Sequence, residues 1–349
     1  MATLYSAVGY DGLKAQKWCL EHDLVDAADL KLTILAGFPV KSEMEVPVLE
    51  TKYEDGVLTI IPGEFNPYGG YTLTGPDFTL TPDNTEEIIE DLDMFEARFE
   101  NDVTYRLYSP KSGGPRPLIL FLHGGGECGY DNLAQMVGTM GAIHLAKMYP
   151  DMYVMAPQAP RGMLSPGMPA PNMNRQTFAT SNVPGLEGWT RAVLGNVCDL
   201  IRGMIDEGKV NPDRVYVTGL SMGGGGTLRA LSVGSDLFAA GAPICPTMTP
   251  ETYKILCGLV DTKIWISTAY IDHTLYRHKY IVDGIMALKD AGNMDARLTL
   301  YSPEELEAYG LATDPDMSLQ AKFSANHASW ILTLNNEHGI MSWLTEQTK

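Results

Sequence analysis

The sequence predicts an α/β protein, a mainly parallel sheet flanked by helices and preceded by a small β-rich module. Two features point there. From residue 103 onward, apolar strand-like stretches alternate with helical ones, the grammar of parallel strands joined by crossovers. Before residue 85, short Thr- and aromatic-rich stretches are broken by Gly and Pro instead. A chain of 349 residues accommodates one large α/β domain plus a small second one, and the change of pattern divides it into 1–95 and 96–349.

In the first part, residues 11–30 are expected to form a short helix. "VPVLETKYEDGVLTIIPG" (46–63) reads as two strands turning at Asp55-Gly56, and "GGYTLTGPDFTLTP" adds further short strands, in the manner of a sandwich fragment. The acidic "NTEEIIEDLDMFEARFEND" (84–102) is expected to be a connector, helical in part.

In the second part, "VTYRLYS", "PLILFLH", "MYVMAPQ", "RVYVTG", "AAGAPI", "KIWIST" and "ARLTLY" are the strand candidates. "PLILFLH" is a near-continuous apolar run, as a strand buried on both faces requires. Helices are expected near 131–149, 190–208, 222–234, 278–292 and 337–347. Residues 161–188 are Pro-, Met- and Asn-rich without periodicity, a long insertion of the kind that roofs a pocket.

Composition narrows the function. Twenty-five Lys+Arg against 43 Asp+Glu give a net charge of −18, with no basic cluster, which argues against nucleic acid and anionic membrane as partners. A neutral substrate fits better. No basic stretch followed by an apolar one opens the chain, and no apolar run reaches the ~18 residues of a membrane span. The five cysteines (Cys19, Cys128, Cys198, Cys245, Cys257) are odd in number and lack CxxC spacing, so reduced thiols and a cytoplasmic location are expected, without structural zinc.

The chemistry is announced at "VYVTGLSMGGGGTLRAL" (215–231). Five glycines in eight residues surround a serine, where each glycine costs a helix or strand roughly 0.5–1 kcal/mol. Gly219-Leu220-Ser221-Met222-Gly223 fits G-x-S-x-G between a strand and a helix, the context of a nucleophile elbow. Such a turn strains the serine backbone, demands small residues on either side, and aims the helix N-terminus and the Met222 N–H at a developing oxyanion. His123-Gly124-Gly125-Gly126 ends an earlier strand and matches the HGGG-type loop that offers a second oxyanion donor. His123 itself reads as structural. Together the two motifs predict an α/β-hydrolase fold.

That fold orders its residues Ser, acid, His. His327, in "FSANHASWILTL", is the base candidate, with His338 as runner-up; His273 and His278 come too early. Asp272 follows the "KIWIST" strand and is the acid candidate, with Asp283 as the alternative. Gly126, Tyr130, Trp189 and Trp330 are candidates for the pocket wall.

From about residue 96 to the end, the chain resembles serine α/β-hydrolases of the feruloyl esterase, polyhydroxybutyrate-depolymerase-like and predicted peptidase group. "YRLYSP…PLILFLHGGGECGYDN", "APQ" (156–158), "NPDRVYVTGLSMGGGGT", "ALKDAG" and "HASW" carry the resemblance. It implies Ser221 as nucleophile, Asp272 as acid, His327 as base, and Gly125 and Met222 as oxyanion donors. It also implies an immunoglobulin-like fold for the N-terminal module. Three departures stand out: Thr268-Ala269 where His-Gly is usual, Cys128 where Arg is usual, and a long segment 302–326 before the histidine, a second lid candidate.

The expected activity is hydrolysis of short-chain, acetyl or hydroxycinnamoyl esters, plant-carbohydrate esters among them, with no metal or cofactor. A serine peptidase of the same fold and a non-catalytic carbohydrate-binding protein are the competing readings. A homo-oligomer stays open.

Overall fold

The computed structural model describes residues 1–36, 42–160, 188–270, 272, 275–311 and 326–349. The insertion expected at 161–188 lies, apart from Gly188, outside the described residues, as do 312–325 and His273. The chain forms two compact units: Met1–Met94 with Met136–Met140, and Phe95–Gln135 with Gly141–Lys349.

Among the described residues, the first unit holds nine strands: β1 (Ala2–Gly9), β2 (Gly12–Glu21), β3 (Lys31–Ala36), β4 (Ser42–Val46), β5 (Val48–Glu54), β6 (Val57–Pro62), β7 (Tyr71–Thr74), β8 (Thr79–Leu80) and β9 (Thr85–Ile89). They form one sheet ordered β5-β6-β2-β1-β9 and another ordered β4-β3-β7-β8. Pairing is antiparallel except for β1 with β9. Leu4, Trp18, Leu58 and Ile60 of the first sheet pack with Leu32, Leu73 and Leu80 of the second in one apolar core. The hairpin at Asp55-Gly56 is present, both residues at positive φ.

Two expectations are corrected. Residues 11–30 are not helical but form β2 and a single 3-10 turn, Ala27–Asp29. The cause is a bulge: Tyr5 pairs with Lys17 while Ser6 pairs with Ala15, leaving Gln16 as the extra residue. Buried Leu13, Ala15, Trp18 and Leu20 therefore carry a three-residue step that breaks the period of two and imitates a helix. Residues 84–102 likewise form β9, a 3-10 turn at Leu92–Met94 and β10 (Phe95–Glu100). Both strands are sheet edges that turn charged side chains to solvent, so no apolar alternation marks them.

The second unit is built on an eight-stranded sheet that starts with β10 and continues with β11 (Val103–Tyr108), β12 (Arg116–Leu122), β13 (Tyr153–Gln158), β14 (Val210–Leu220), β15 (Ala240–Ile244), β16 (Trp265–Ala269) and β17 (Arg297–Tyr301). Its order is β10-β11-β13-β12-β14-β15-β16-β17. The two strands at the β10 end pair antiparallel and the other six run parallel. Helices α1 (Gly141–Met148), α2 (Arg191–Asp206), α3 (Met222–Val233), α4 (Pro250–Gly258), α5 (Leu275–Asp290), α6 (Trp330–Leu334) and α7 (Ile340–Glu346) accompany it. Leu118 to Leu122 of β12 and Val215 to Val217 of β14 are fully buried, the demand the apolar runs already made. In such sheets ligands bind at the carboxyl ends of the strands, and the motif residues lie there. Among the described residues, no helix is long and apolar enough to cross a membrane.

Candidate active site

Ser221 sits between β14 and α3 with φ 56° and ψ −113°, a backbone region that costs a non-glycine residue on the order of 1–3 kcal/mol. Three hydrogen bonds hold it there. Its N–H donates to the Ile244 carbonyl at 3.0 Å, and its own carbonyl accepts from Gly225 N–H at 3.1 Å and Thr247 N–H at 2.8 Å. The glycines permit the crowding. A Cβ on Gly219 would stand 2.5 Å from the Leu122 carbonyl oxygen, and one on Gly223 only 1.9 Å from it. Gly224 faces Ile244 and Pro246, Gly225 faces Thr247, and Gly226 lies against the Trp189 ring, so each of the five glycines admits a particular neighbour.

Ser221, His327 and Asp272 come together from three places in the chain. His327 Nε2 lies 2.9 Å from Ser221 Oγ, and His327 Nδ1 lies 2.8 Å from Asp272 Oδ1. A carboxylate only accepts, so Nδ1 carries the proton and Nε2 is left to accept from the serine hydroxyl. Asp272 is buried, and its second oxygen accepts from Thr268 Oγ1 at 3.2 Å. Just past His327, buried Thr333 on α6 bonds Ser267 of β16 at 2.8 Å and Tyr301 of β17 at 2.9 Å, which ties the histidine segment to the sheet.

The alternatives lie elsewhere. His338 pairs with Glu305 near the surface, and Asp283 pairs with Lys279 one turn away on α5. His278 packs its ring 5.5 Å from Tyr270.

The glycine loop after β12 lies beside the elbow: a Cβ on Gly125 would be 4.0 Å from Met222 Cβ. Met222 opens α3, where N–H groups have no partner inside the helix. The neighbouring Gly124 N–H is already taken, donating to Glu127 Oε2 at 2.5 Å. His123 is structural. Its Nε2 accepts from the Ala159 N–H at 2.8 Å, so Nδ1 donates to the Gly124 carbonyl at 2.6 Å, and burial pushes its pKa down to about 4.

A thermostable esterase of solved structure matches over 100% of this chain and 99% of its own, with 22% identity and a TM-score of 0.67. An S-formylglutathione hydrolase from Staphylococcus aureus covers 72% of this chain and 96% of its own at 13% identity and a TM-score of 0.46. A ferulic acid esterase covers 60% and 90% at 17% identity and a TM-score of 0.40. No protein-family model matches the chain, and no curated protein does. The whole-length match and the sheet order agree. The second unit has the α/β-hydrolase fold.

On this α/β-hydrolase framework the expected pocket residues divide. Gly126, in the glycine loop, and Tyr130 are exposed, and Trp330 sets its ring edge-on to His327 at 5.5 Å. Trp189 is corrected: it is fully buried in the core, where its Nε1 donates to the His123 carbonyl at 3.0 Å and its ring packs on that imidazole. It braces the loop from behind and has no surface to offer a substrate. Cys128 is buried with its sulfur 4.0 Å from Met222 Sδ. Gln158, the last residue of "APQ", was not singled out from sequence, yet it organises the whole loop. Its amide donates to the Glu127 carbonyl and to Asp131, and its carbonyl oxygen accepts from the Asn132 N–H.

Proposed function

We propose that the chain is a serine carboxylesterase with Ser221 as nucleophile, His327 as base and Asp272 as the acid that orients it. The unbroken hydrogen-bonded path from Ser221 through His327 to buried Asp272 carries this reading. His327 Nε2 takes the Ser221 proton as Oγ attacks the ester carbonyl, and the ionised Asp272 stabilises the imidazolium without taking the proton itself. The tetrahedral oxyanion is received by the Met222 and Gly125 N–H groups, each worth on the order of 10²–10³ in rate. The imidazolium then protonates the departing alcohol. A water activated by the same imidazole cleaves the acyl-enzyme and restores Ser221. Every proton used is held by Ser221, His327 or water, so the cycle is complete without a cofactor.

The substrates proposed are short-chain, acetyl or hydroxycinnamoyl esters. A neutral acyl group suits a chain of net charge −18, and Trp330, its ring edge-on to His327, offers aromatic surface near the reacting serine. Initial rates on p-nitrophenyl acetate, butyrate and octanoate, methyl ferulate, acetylated xylan and a peptide p-nitroanilide test this. Cleavage of short esters or ferulate, with none of the anilide, is the expected result. Anilide cleavage with slow ester turnover would move the chain to the peptidases, and absence of fluorophosphonate labelling at Ser221 would remove it from the serine hydrolases.

A further inference from the structure

Cys245 is the first residue after β15 and stands with φ 34° beside the elbow, since Ile244 before it accepts the Ser221 N–H. Its own N–H donates to Ser267 on β16 at 2.7 Å, which fixes its backbone across the strand ends. It belongs to no disulfide and is fully buried. Its sulfur, a ring nitrogen of His327 and a carboxylate oxygen of Asp272 all lie within 4.8 Å of one another. The serine mechanism has no use for a thiol at this point.

We propose that Cys245, Asp272 and His327 form a site for a zinc-like divalent cation, zinc or cadmium, and that filling it switches the base off. One sulfur, one imidazole nitrogen and one carboxylate oxygen are the donor set of zinc and its softer congeners, and not of magnesium or calcium. With bonds of about 2.0–2.3 Å at tetrahedral angles, two ligand atoms on one ion stand roughly 3.3–3.8 Å apart, so atoms that already lie within 4.8 Å of one another close on a cation by side-chain movements of about 1 Å. The thiolate and the Asp272 carboxylate together cancel the two positive charges, which a buried site requires.

The proton balance explains the inhibition. Before binding, Cys245 is a thiol, Asp272 is ionised, and His327 carries its proton on Nδ1. The ion takes Sγ, a carboxylate oxygen and Nδ1. The thiol proton leaves to solvent, the Nδ1 proton is displaced, and Nε2 takes one up, so one proton is released overall. Nε2–H then donates to Ser221 Oγ where it previously accepted from it, and the serine has no base. Binding depends on the three ligands alone, whereas loss of turnover rests on the esterase reading above. The two are measured separately.

The test is a cadmium titration of the full chain, reading the ultraviolet thiolate-to-cadmium absorption and the rate on p-nitrophenyl acetate in parallel. Wild type should bind one equivalent with the absorption band, zinc should displace it, and saturation should lower the rate by about 10²-fold or more, the share a general base supplies. EDTA should restore the rate, and magnesium should do nothing. Cys245→Ala should lose the band and need at least about tenfold more cadmium for half-inhibition of its own basal rate. Cys245→Ser, which keeps the volume and lacks the thiolate, serves as the second variant if the alanine fails to fold. Ser221→Ala has no turnover to lose and should keep the band. An unchanged band or unchanged cadmium sensitivity in the Cys245 variants, or no band in wild type, overturns the proposal. A wild type that binds cadmium but cleaves no ester would sink the esterase reading and leave the site standing.

Discussion

Thr268 Oγ1 donates to Asp272 Oδ2 at 3.2 Å, so the threonine holds one carboxylate oxygen while His327 holds the other. A buried carboxylate oxygen left without that donor costs about 1.5–3 kcal/mol, and it draws proton density from the imidazole more strongly. Thr268→Val keeps the shape and removes the hydroxyl. It should lower kcat about tenfold with little change in KM, and shift the acid limb of the kcat/KM profile to higher pH; Thr268→Ser should restore both. An unshifted profile in the valine variant would reduce Thr268 to a packing residue.

The proposed choice between the two late histidines rests on what each touches. His327 faces Ser221, whereas His338 is paired with Glu305 close to solvent. His327→Ala and Ser221→Ala should each cost on the order of 10⁴–10⁶ in kcat and leave the melting temperature nearly unchanged. His338→Ala should retain activity within about twofold, since exposed pairs contribute about 0–1 kcal/mol. An inactive His338 variant beside an active His327 variant would reverse the assignment.

How far the sequence could be read depended on whether a signal was local. The elbow was legible because Gly219, Ser221 and Gly223 must be adjacent in the chain to make the turn, and the buried strands because both faces of Leu118 to Leu122 are apolar. Chain order, which the fold constrains, points to His327 and Asp272, and the two side chains lie within a hydrogen bond of each other. Trp189 was misplaced because a tryptophan in a core and one in a pocket look alike until the His123 carbonyl appears beside its Nε1. Gln158 and Cys245 went unread for the same reason: each acts through residues far away in the chain. The β2 bulge erased the only local signal that strand had.

Gly223 and Gly126 should respond oppositely to a methyl group. At Gly223 the new Cβ would overlap the Leu122 carbonyl at 1.9 Å, and backbone on a central strand cannot withdraw. At Gly126 it would meet nothing within 4 Å. Gly223→Ala should therefore cost about 3 kcal/mol or more, a fall in Tm of roughly 6–12 °C or loss of soluble protein. Gly126→Ala should melt within error of wild type. A Gly223→Ala protein as stable as wild type would mean that the elbow is looser than these contacts require.

Stability should fall as pH drops below neutrality, and His123 supplies a defined part of the fall. Its imidazole is buried against Trp189 and accepts the Ala159 N–H at Nε2, a bond that protonation would destroy. Burial puts the native pKa at about 4, below the ordinary 6.5 of an unburied histidine. Between these limits the unfolded chain binds a proton that the native state refuses, so unfolding free energy rises with pH across this window. The contribution is fully present above about pH 6.5 and is lost as pH falls toward 4, on the order of 3 kcal/mol in all. Urea unfolding of wild type and His123→Gln at pH 7.5 and pH 5 isolates it. Wild type should lose about 2 kcal/mol more than the variant between the two pH values. Equal losses would move the acid sensitivity to other groups and leave His123 without a part in it.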